Sequence, residues 1–248
     1  MTIYFLIPTY NESSNLVELA SNLKSLLDEH NKYYLFIDDN SSDNSVNLID
    51  NLFKNEQYHI IRKPYNLGPG DSFNRGFEWI LIHSKEDSDI IVTMEADNTS
   101  DPKILPDMVA ISKLGDDLIL ASVYAQGGGL EKTTLFRKVC SFFANMIFRT
   151  IFDIKVLTIS SFYRVYHVNL IRAIQQYYGE IISEKGFICM LEILIKSIRM
   201  RANIIEIPMI LKSQNRRDKS KMKLYKNIMS YLNFLFIKSR KYKKGEPQ

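Results

Sequence analysis

In the stretch IIVTMEADNTSDP, Ile90 to Pro102, an apolar run breaks into two carboxylates, Glu95 and Asp97, with a single alanine between them. Acids at i and i+2 in the turn after a strand can both point into a cleft, where alone they would repel each other. A divalent cation removes that penalty, and hard Mg2+ or Mn2+ takes oxygen ligands from one or two carboxylates plus substrate phosphates. The pair therefore suits a metal bridged to a nucleoside diphosphate, whose departing charge it would neutralise. In isolation the same pattern is an ordinary acidic turn. What decides is whether other loops bring similar groups to the same place.

The elements around the pair suggest that they do. TIYFLIP, YYLFIDD, YHIIRKP and SDIIVTMEAD read as four strands, the first two as continuous apolar runs of the kind buried on both faces. Helical segments alternate with them: NESSNLVELASNLKSLLDEH sets Leu16, Leu19, Leu23 and Leu26 on one face, SSDNSVNLIDNLFK follows, and the glycine-bearing NLGPGD leads into SFNRGFEWILIHS. Strands alternating with helices imply βαβ units and a mainly parallel sheet. In such sheets ligands bind beyond the carboxyl ends of the strands, and here PTYNE, DDNSSDNS and EADNTSDP all fall at those ends. The second half adds a strand and glycine turn (DDLILASVYAQGGG), the helix LFRKVCSFFANMIFRTIF, a helix after SSFYRVY, the helix KGFICMLEILIKSIRM and the strand ANIIEIPMIL. No clean boundary divides the chain.

Composition bounds the rest. The 248 residues are 46% hydrophobic, enough for one substantial core. The net charge of +4 is unevenly spread: QNRRDKSKMK and KSRKYKKG make the last stretch basic, which favours anionic partners. Tyr225, Tyr231, Phe234 and Tyr242 are interleaved there, but no nucleic-acid reader motif is present, so a nucleic-acid partner is not expected. Cys140 and Cys189 lie in apolar surroundings without metal or redox spacing and read as reduced core residues, while the four histidines form no zinc pattern. MTIYFLIPTYNE lacks a basic region and signal-length apolar run, and no segment approaches the ~18 apolar residues of a membrane span. These features point to a cytoplasmic protein, soluble or peripheral at the inner face of the membrane. The basic amphipathic C-terminus either lies on anionic lipid or packs on the chain's own core.

PTYNE at Pro8 to Glu12, FIDDNSSDNS at Phe36 to Ser45, NLGPGDSFNRGF and MEAD together resemble a family 2 glycosyltransferase, within it most closely the polyprenyl-phosphate (dolichol-phosphate) mannosyltransferase branch. GGGLEKTTLFRKVCSFFAN, SSFYRVY and KSKM are similar to that branch's later motifs, and the resemblance runs over roughly residues 3 to 225. It implies an α/β GT-A fold, Rossmann-like, of the nucleotide-diphospho-sugar transferase type: one domain over residues 1–225 with a mainly parallel central sheet. Residues 226–248 would follow as a basic amphipathic helix and tail. It also implies a metal-dependent, inverting transferase, with GDP-mannose as the leading donor and a polyprenyl phosphate as the acceptor.

The resemblance assigns residues as well. Pro8, Tyr10 and Glu12 would form the nucleotide floor, with Tyr10 stacking and Glu12 accepting from base or ribose. Ile37 and Asp39 would flank the base, Ala96 would give backbone room, and Glu95 and Asp97 would be the catalytic pair that holds Mg2+ or Mn2+. Ser220 and Lys221 resemble a loop that closes over the diphosphate. Arg137, Arg164 and Arg216 are candidates to position an anionic acceptor.

This chain also departs from the family pattern. The usual Asp-x-Asp is Glu95-x-Asp97, with Thr99 as the polar residue beyond it. Val123, Thr158, Phe162, Asn215 and Asp218 stand where the branch has Arg, Asp, Gly, a basic residue and Gly. The changes cluster on the donor-sugar and acceptor side, so nucleotide-sugar binding is the firmer expectation. Two alternatives stay open: a UDP-sugar transferase acting on a sugar hydroxyl of a cell-surface polysaccharide, with Glu184 as base, and a nucleotide-sugar-binding protein without transfer activity. A phosphate acceptor is already an anion and needs no general base, which agrees with the lack of a clear Glu-Asp pair before the KGFICMLE helix.

Overall fold

The computed structural model describes residues 1–133, 135–217 and 224–238, with side chains throughout except at 136–140, 224–228 and 237–238. Along the chain run β1 (Thr2–Thr9), α1 (Leu16–Lys24), β2 (Asn31–Asp38), α2 (Ser45–Phe53), β3 (Tyr58–Arg62), α3 (Pro69–His83) and β4 (Ile90–Thr93). The second half holds α4 (Leu105–Ser112), β5 (Leu118–Ser122), β6 (Gly129–Glu131), α5 (Leu135–Phe152), β7 (Arg164–His167), α6 (Val168–Tyr178), α7 (Cys189–Arg199), β8 (Ile204–Pro208), β9 (Ile210–Lys212) and α8 (Leu224–Asn233). A π-helical turn, Phe234–Lys238, extends α8.

Seven strands form one sheet in the order β3-β2-β1-β4-β7-β5-β8. β1 is central to the first half: Thr9 pairs with Asp38 of β2 and Leu6 with Thr93 of β4, all parallel. β7 is the exception. It runs antiparallel between β4 and β5, which places SSFYRVY in the middle of the sheet. A separate two-stranded parallel ribbon joins β6 to β9.

Because successive side chains on a strand point to opposite faces, the sheet divides the core in two. Leu6, Leu35 and Ile37 face a cluster completed by Phe77 of α3, Ile171 of α6, Leu194 of α7 and Phe234. Phe5, Ile7 and Phe36 face the other, with Leu19 of α1, Ile49 of α2 and Met108 of α4. Phe148 and Phe152 of α5 contact Tyr231 and Phe234 at ring-centroid distances of 5.2 and 5.8 Å, so the C-terminal helix packs on the core by one face. Trp79, the only tryptophan, stacks on His83 at 3.7 Å and meets His59 and Tyr33 at 5.4 and 5.3 Å on the outer side of β2 and β3. Cys189 is buried and free, as its apolar surroundings imply; the Cys140 side chain lies outside the described residues.

Candidate active site

The parallel strands β1, β2, β3 and β4 end at Thr9, Asp38, Arg62 and Thr93, so their carboxyl ends share one edge of the sheet. Three asparagines turn the chain there: Asn11, Asn40 and Asn98 hold left-handed φ values of 51°, 63° and 60°. Asparagine tolerates that region better than most non-glycine residues, and its amide is short enough to bond locally. Asn11 Oδ1 accepts from Ser42 N–H at 2.8 Å, and Asn98 Nδ2 donates to Asn15 O at 2.9 Å. Ser45 Oγ accepts from Glu12 N–H at 2.8 Å. The loops after β1, β2 and β4 are thus stitched into one surface.

Glu95 and Asp97 sit on that surface at the end of β4. Asp97 is nearly buried, and its Oδ1 accepts from Thr99 N–H and Oγ1 at 3.0 and 2.7 Å. Its Oδ2 accepts from Arg216 Nε at 2.8 Å and from a second N–H of the same guanidinium, at Nη2. Glu95 has no such relief. Burial, the neighbouring Asp97 carboxylate and, more weakly, Glu12 push its carboxyl up to about 8, against a smaller pull from Arg216. Glu95, Asp97 and Glu12 therefore crowd three carboxyl groups against Arg216. Carboxylates so crowded fit a hard divalent cation. Among the described residues no group of three His, Cys, Asp or Glu is placed to hold a metal.

Arg216 reaches the site on the segment that follows β9. Lys212 N–H donates to Thr99 O at 2.8 Å and its ammonium pairs with Asp101 at 2.8 Å. Further on, Arg217 N–H donates to Asn15 Oδ1 at 3.2 Å and its guanidinium meets Glu18 at 3.3 Å. Residues 212–217 therefore lie across the β4 loop and the start of α1.

A second set of groups builds the loop before α3. Asp39 accepts from Leu67 and Gly68 N–H at 2.8 and 2.9 Å and pairs with the buried Lys63 at 2.7 Å. Lys63 also pairs with Asp71 at 3.0 Å. Gly70 N–H donates to Lys185 O at 2.9 Å, and a Cβ on Gly70 would come within 1.8 Å of Glu184 O, so only glycine allows this approach. The abutting 183–186 segment is itself pinned. Glu192 accepts from Ser183 Oγ and Glu184 N–H at 2.7 and 2.8 Å and pairs with Lys196 at 2.9 Å. Lys196 in turn donates to Glu180 and Ile181 carbonyls, both at 2.9 Å. Ionic partners hold the Glu192 carboxyl below its usual range despite its burial. Lys63, Glu192 and Lys196 were not anticipated from the sequence. The signal for the last two was an acid and a base at i, i+4 inside a mostly apolar helix.

The remaining expected residues divide. Pro8, Tyr10 and Glu12 lie half-buried at the end of β1, and Ala96 is buried between the two acids. Two assignments need correction. The Ile37 side chain is fully buried in the core under the sheet, so it does not flank the cleft. Arg164, expected to position an anionic acceptor, is also fully buried. Its guanidinium donates to the carbonyls of Ser161, Met190 and Ile159 at 2.7, 3.0 and 2.9 Å and to Tyr166 Oη at 3.3 Å, leaving it committed to the fold. Asp39 turns its carboxylate to the Leu67–Gly68 loop and Lys63. Phe162 stacks on Phe73 at 5.4 Å and contacts Phe187 at 5.5 Å, filling a place for which the resemblance expected glycine. Ser220, Lys221 and the Arg137 side chain lie outside the described residues.

Known proteins resemble this chain in sequence and fold. The model of Glycosyl transferase family 2 matches residues 4–175. A dolichol-phosphate mannosyltransferase of Pyrococcus furiosus is 29% identical over 240 residues, 95% of this chain and 63% of that protein, so the chain spans under two thirds of that relative. An undecaprenyl-phosphate mannosyltransferase of Micrococcus luteus is 26% identical over 84% of this chain and 82% of its own length. Among solved structures, glucosyl-3-phosphoglycerate synthase of Mycobacterium tuberculosis with Mn2+ and UDP-glucose superposes with a TM-score of 0.66 at 15% identity, covering 94% of this chain and 78% of that one. The same enzyme with Mg2+ and UDP gives 0.67 with the same identity and coverage. That likeness extends the GT-A fold over nearly the whole chain, and with the family model it leads to one conclusion: this chain belongs to glycosyltransferase family 2.

Proposed function

We propose that the chain is a metal-dependent, inverting mannosyltransferase that uses GDP-mannose and a polyprenyl phosphate. The observation that carries the reading is the crowding of Glu95 and Asp97 at the end of β4, where the Glu95 carboxyl is held far above its usual range by burial and a neighbouring carboxylate. Two relatives over most of the chain act, by their names, on dolichol phosphate and undecaprenyl phosphate, which supports the acceptor. Glu95 and Asp97 would hold Mg2+ or Mn2+, which neutralises charge on the departing diphosphate.

In this reading Tyr10 and Glu12 receive the nucleoside, and Asp39 acts through the Leu67–Gly68 loop that it fixes. Lys221 and Ser220, whose roles are those that the family resemblance implies, would serve the diphosphate. A phosphate oxygen of the acceptor attacks the anomeric carbon; the new C–O bond forms as the bond to the diphosphate breaks, and the electron pair leaves with GDP. The configuration inverts, and no proton has to be removed from the attacking oxygen. The acceptor's lipid sets the reaction at a membrane surface, where the basic C-terminus would make a peripheral contact at the inner face.

A second reading has one observation in its favour. Glu184 meets Gly70 through its backbone carbonyl, and its half-buried side chain is the candidate base for a hydroxyl acceptor. Calorimetric titration of GDP, UDP, GDP-mannose and UDP-glucose, each with and without Mn2+, tests the donor. Transfer from the bound donor to undecaprenyl phosphate then tests the acceptor. Mn2+-dependent binding of GDP-mannose followed by transfer, both lost in Glu95→Ala and Asp97→Ala, is the expected result. Binding of UDP-glucose alone, with a transfer abolished by Glu184→Gln, would replace it with the second reading. Donor binding with neither transfer nor hydrolysis would make the chain a binding protein.

A further inference from the structure

The strand order sets a direction for the donor. Tyr10 and Glu12 stand at the end of β1 and Asp39 just beyond β2, while the acids proposed to hold the metal stand at the end of β4. The next strand outward is β7. A nucleotide laid over β2 and β1, with its diphosphate at Glu95 and Asp97, therefore sets its sugar over β7, about 4.8 Å further on. β7 runs antiparallel, so the residues that enter it lie at this edge. Register says which of them meets the sugar. Thr93 of β4 pairs with Arg164, and carrying that register two residues on sets Glu95 opposite Phe162. Thr93 Oγ1 donates to Phe162 O at 2.7 Å, which holds the two segments together there. Met94, Ala96 and Tyr163 turn into the core on the α1 and α4 side. Phe162 turns to the opposite side, and by alternation so does Glu95.

The Phe162 ring is held from two sides. Phe73 of α3 stacks on it at 5.4 Å with 23° between the planes, and Phe187 meets it at 5.5 Å. Phe73 is buried, and the half-buried Phe187 follows the segment that Glu192 and Lys196 pin. Packed rings of this kind resist displacement, so bulk pressed against them meets strain. Polar groups nearby are spent within the protein. Ser122 Oγ and Thr158 Oγ1 bond each other at 2.7 Å, Ser122 Oγ also accepts from Ala125 N–H at 3.1 Å, and the Arg164 guanidinium is given to carbonyls. What this side offers a pyranose ring is a flat apolar surface, suited to its C–H face.

We infer that Phe162 is a specificity-determining residue: with Phe73 and Phe187 it walls the donor-sugar end of the cleft, admits a plain hexose and excludes sugars that carry a group larger than a hydroxyl, 2-acetamido sugars among them. The glycine that the resemblance expects at this position would leave that space open. The inference rests on the proposed function, whose donor class it narrows.

Matched donors test it. GDP-mannose is paired with its 2-acetamido analogue and UDP-glucose with UDP-N-acetylglucosamine, so either nucleotide is covered. Each is titrated calorimetrically with Mn2+ into the parent, Phe162→Gly, Phe162→Leu and Phe187→Ala. The parent should bind the hexose of the pair whose nucleotide it accepts and bind the acetamido partner far more weakly. Phe162→Gly should cut that preference by about tenfold or more. Phe162→Leu, which keeps apolar packing at shorter reach, and Phe187→Ala should cut it by less. GDP or UDP alone should bind the variants as it binds the parent, since neither carries a sugar; a general loosening of the fold would weaken both. If Phe162→Gly melts below the assay temperature, Phe162→Leu decides in its place. A parent that binds both members of a pair equally, or variants that keep the parent's preference, would overturn the wall and leave the proposed function standing. Binding of neither nucleotide by the parent would overturn the proposed function and the wall with it.

Discussion

Arg216 occupies one of the two acids proposed to hold the metal. Both of its donated bonds fall on Oδ2 of Asp97, and Oδ1 is already held by Thr99. A cation must therefore displace the guanidinium, and the strength of that pair sets how much affinity is lost. Hydrogen bonds to charged groups contribute about 1.5–3 kcal/mol. The Arg216 side chain is 25% exposed against 7% for Asp97, so solvent screening argues for the lower end. About 1.5–2 kcal/mol corresponds to a factor of about 10 to 30 in an equilibrium constant. Arg216→Ala should thus bind Mn2+ about 10 to 30 times more tightly than the parent in the absence of nucleotide. The titration is best made by calorimetry above the range in which Glu95 takes up its proton. Arg217→Ala is the control, since its guanidinium meets Glu18 at 3.3 Å on the surface and should leave the Mn2+ affinity unchanged. Turnover should move the other way in Arg216→Ala, because the freed guanidinium is the group available to a phosphate. Unchanged or weaker Mn2+ binding in Arg216→Ala would refute the displacement argument.

Three other outcomes follow from the site. The raised Glu95 carboxyl keeps its proton in the fold where the unfolded chain, near 4.5, has lost it, so its contribution to stability is full below that pH and disappears as pH rises towards about 8. Thermal melts of the metal-free protein should fall across that window, and Mn2+ binding should strengthen over it with proton release measurable in buffers of different ionisation enthalpy. Gly70→Ala should lose the contact between the α3 loop and the 183–186 segment, because the added Cβ meets Glu184 O at 1.8 Å; a donor titration unchanged from the parent would contradict that contact. Lys196→Met takes the ammonium away from the Glu192 carboxylate in a site where both side chains are at most 1% exposed, and should cost about 3–5 kcal/mol in a denaturant melt.

The alternation of apolar runs with helical segments was enough to anticipate a mainly parallel sheet and the edge where the acidic loops meet. What it could not resolve was direction and face. Ile37 belongs to YYLFID, an unbroken apolar run, and such runs carry no period-2 signal to say which core a side chain enters. Arg164 reads as an available cation in SSFYRVY. Only the insertion of β7 between β4 and β5 shows that its guanidinium must be satisfied internally by carbonyls. α4 was hidden because its eight residues follow a proline-containing 3₁₀ turn at Pro102–Ile104 and carry a second proline, Pro106. The 183–186 segment escaped notice for a different reason. Its role comes from contact with residues more than a hundred positions away, at Gly68 and Gly70, which no local pattern records.

Trp79 has a spectroscopic consequence. It lies ten residues beyond the start of α3, roughly 15 Å along the axis from the end that meets the acidic loops, and stacks on His83 behind β2 and β3. Being the only tryptophan, it makes intrinsic emission a reporter of the back of the sheet and leaves the cleft dark. A melt followed at this indole and one followed by a nucleotide-bound fluorophore would thus read opposite ends of the same helix. Any gap between the two curves would measure how far the loops open before the sheet gives way.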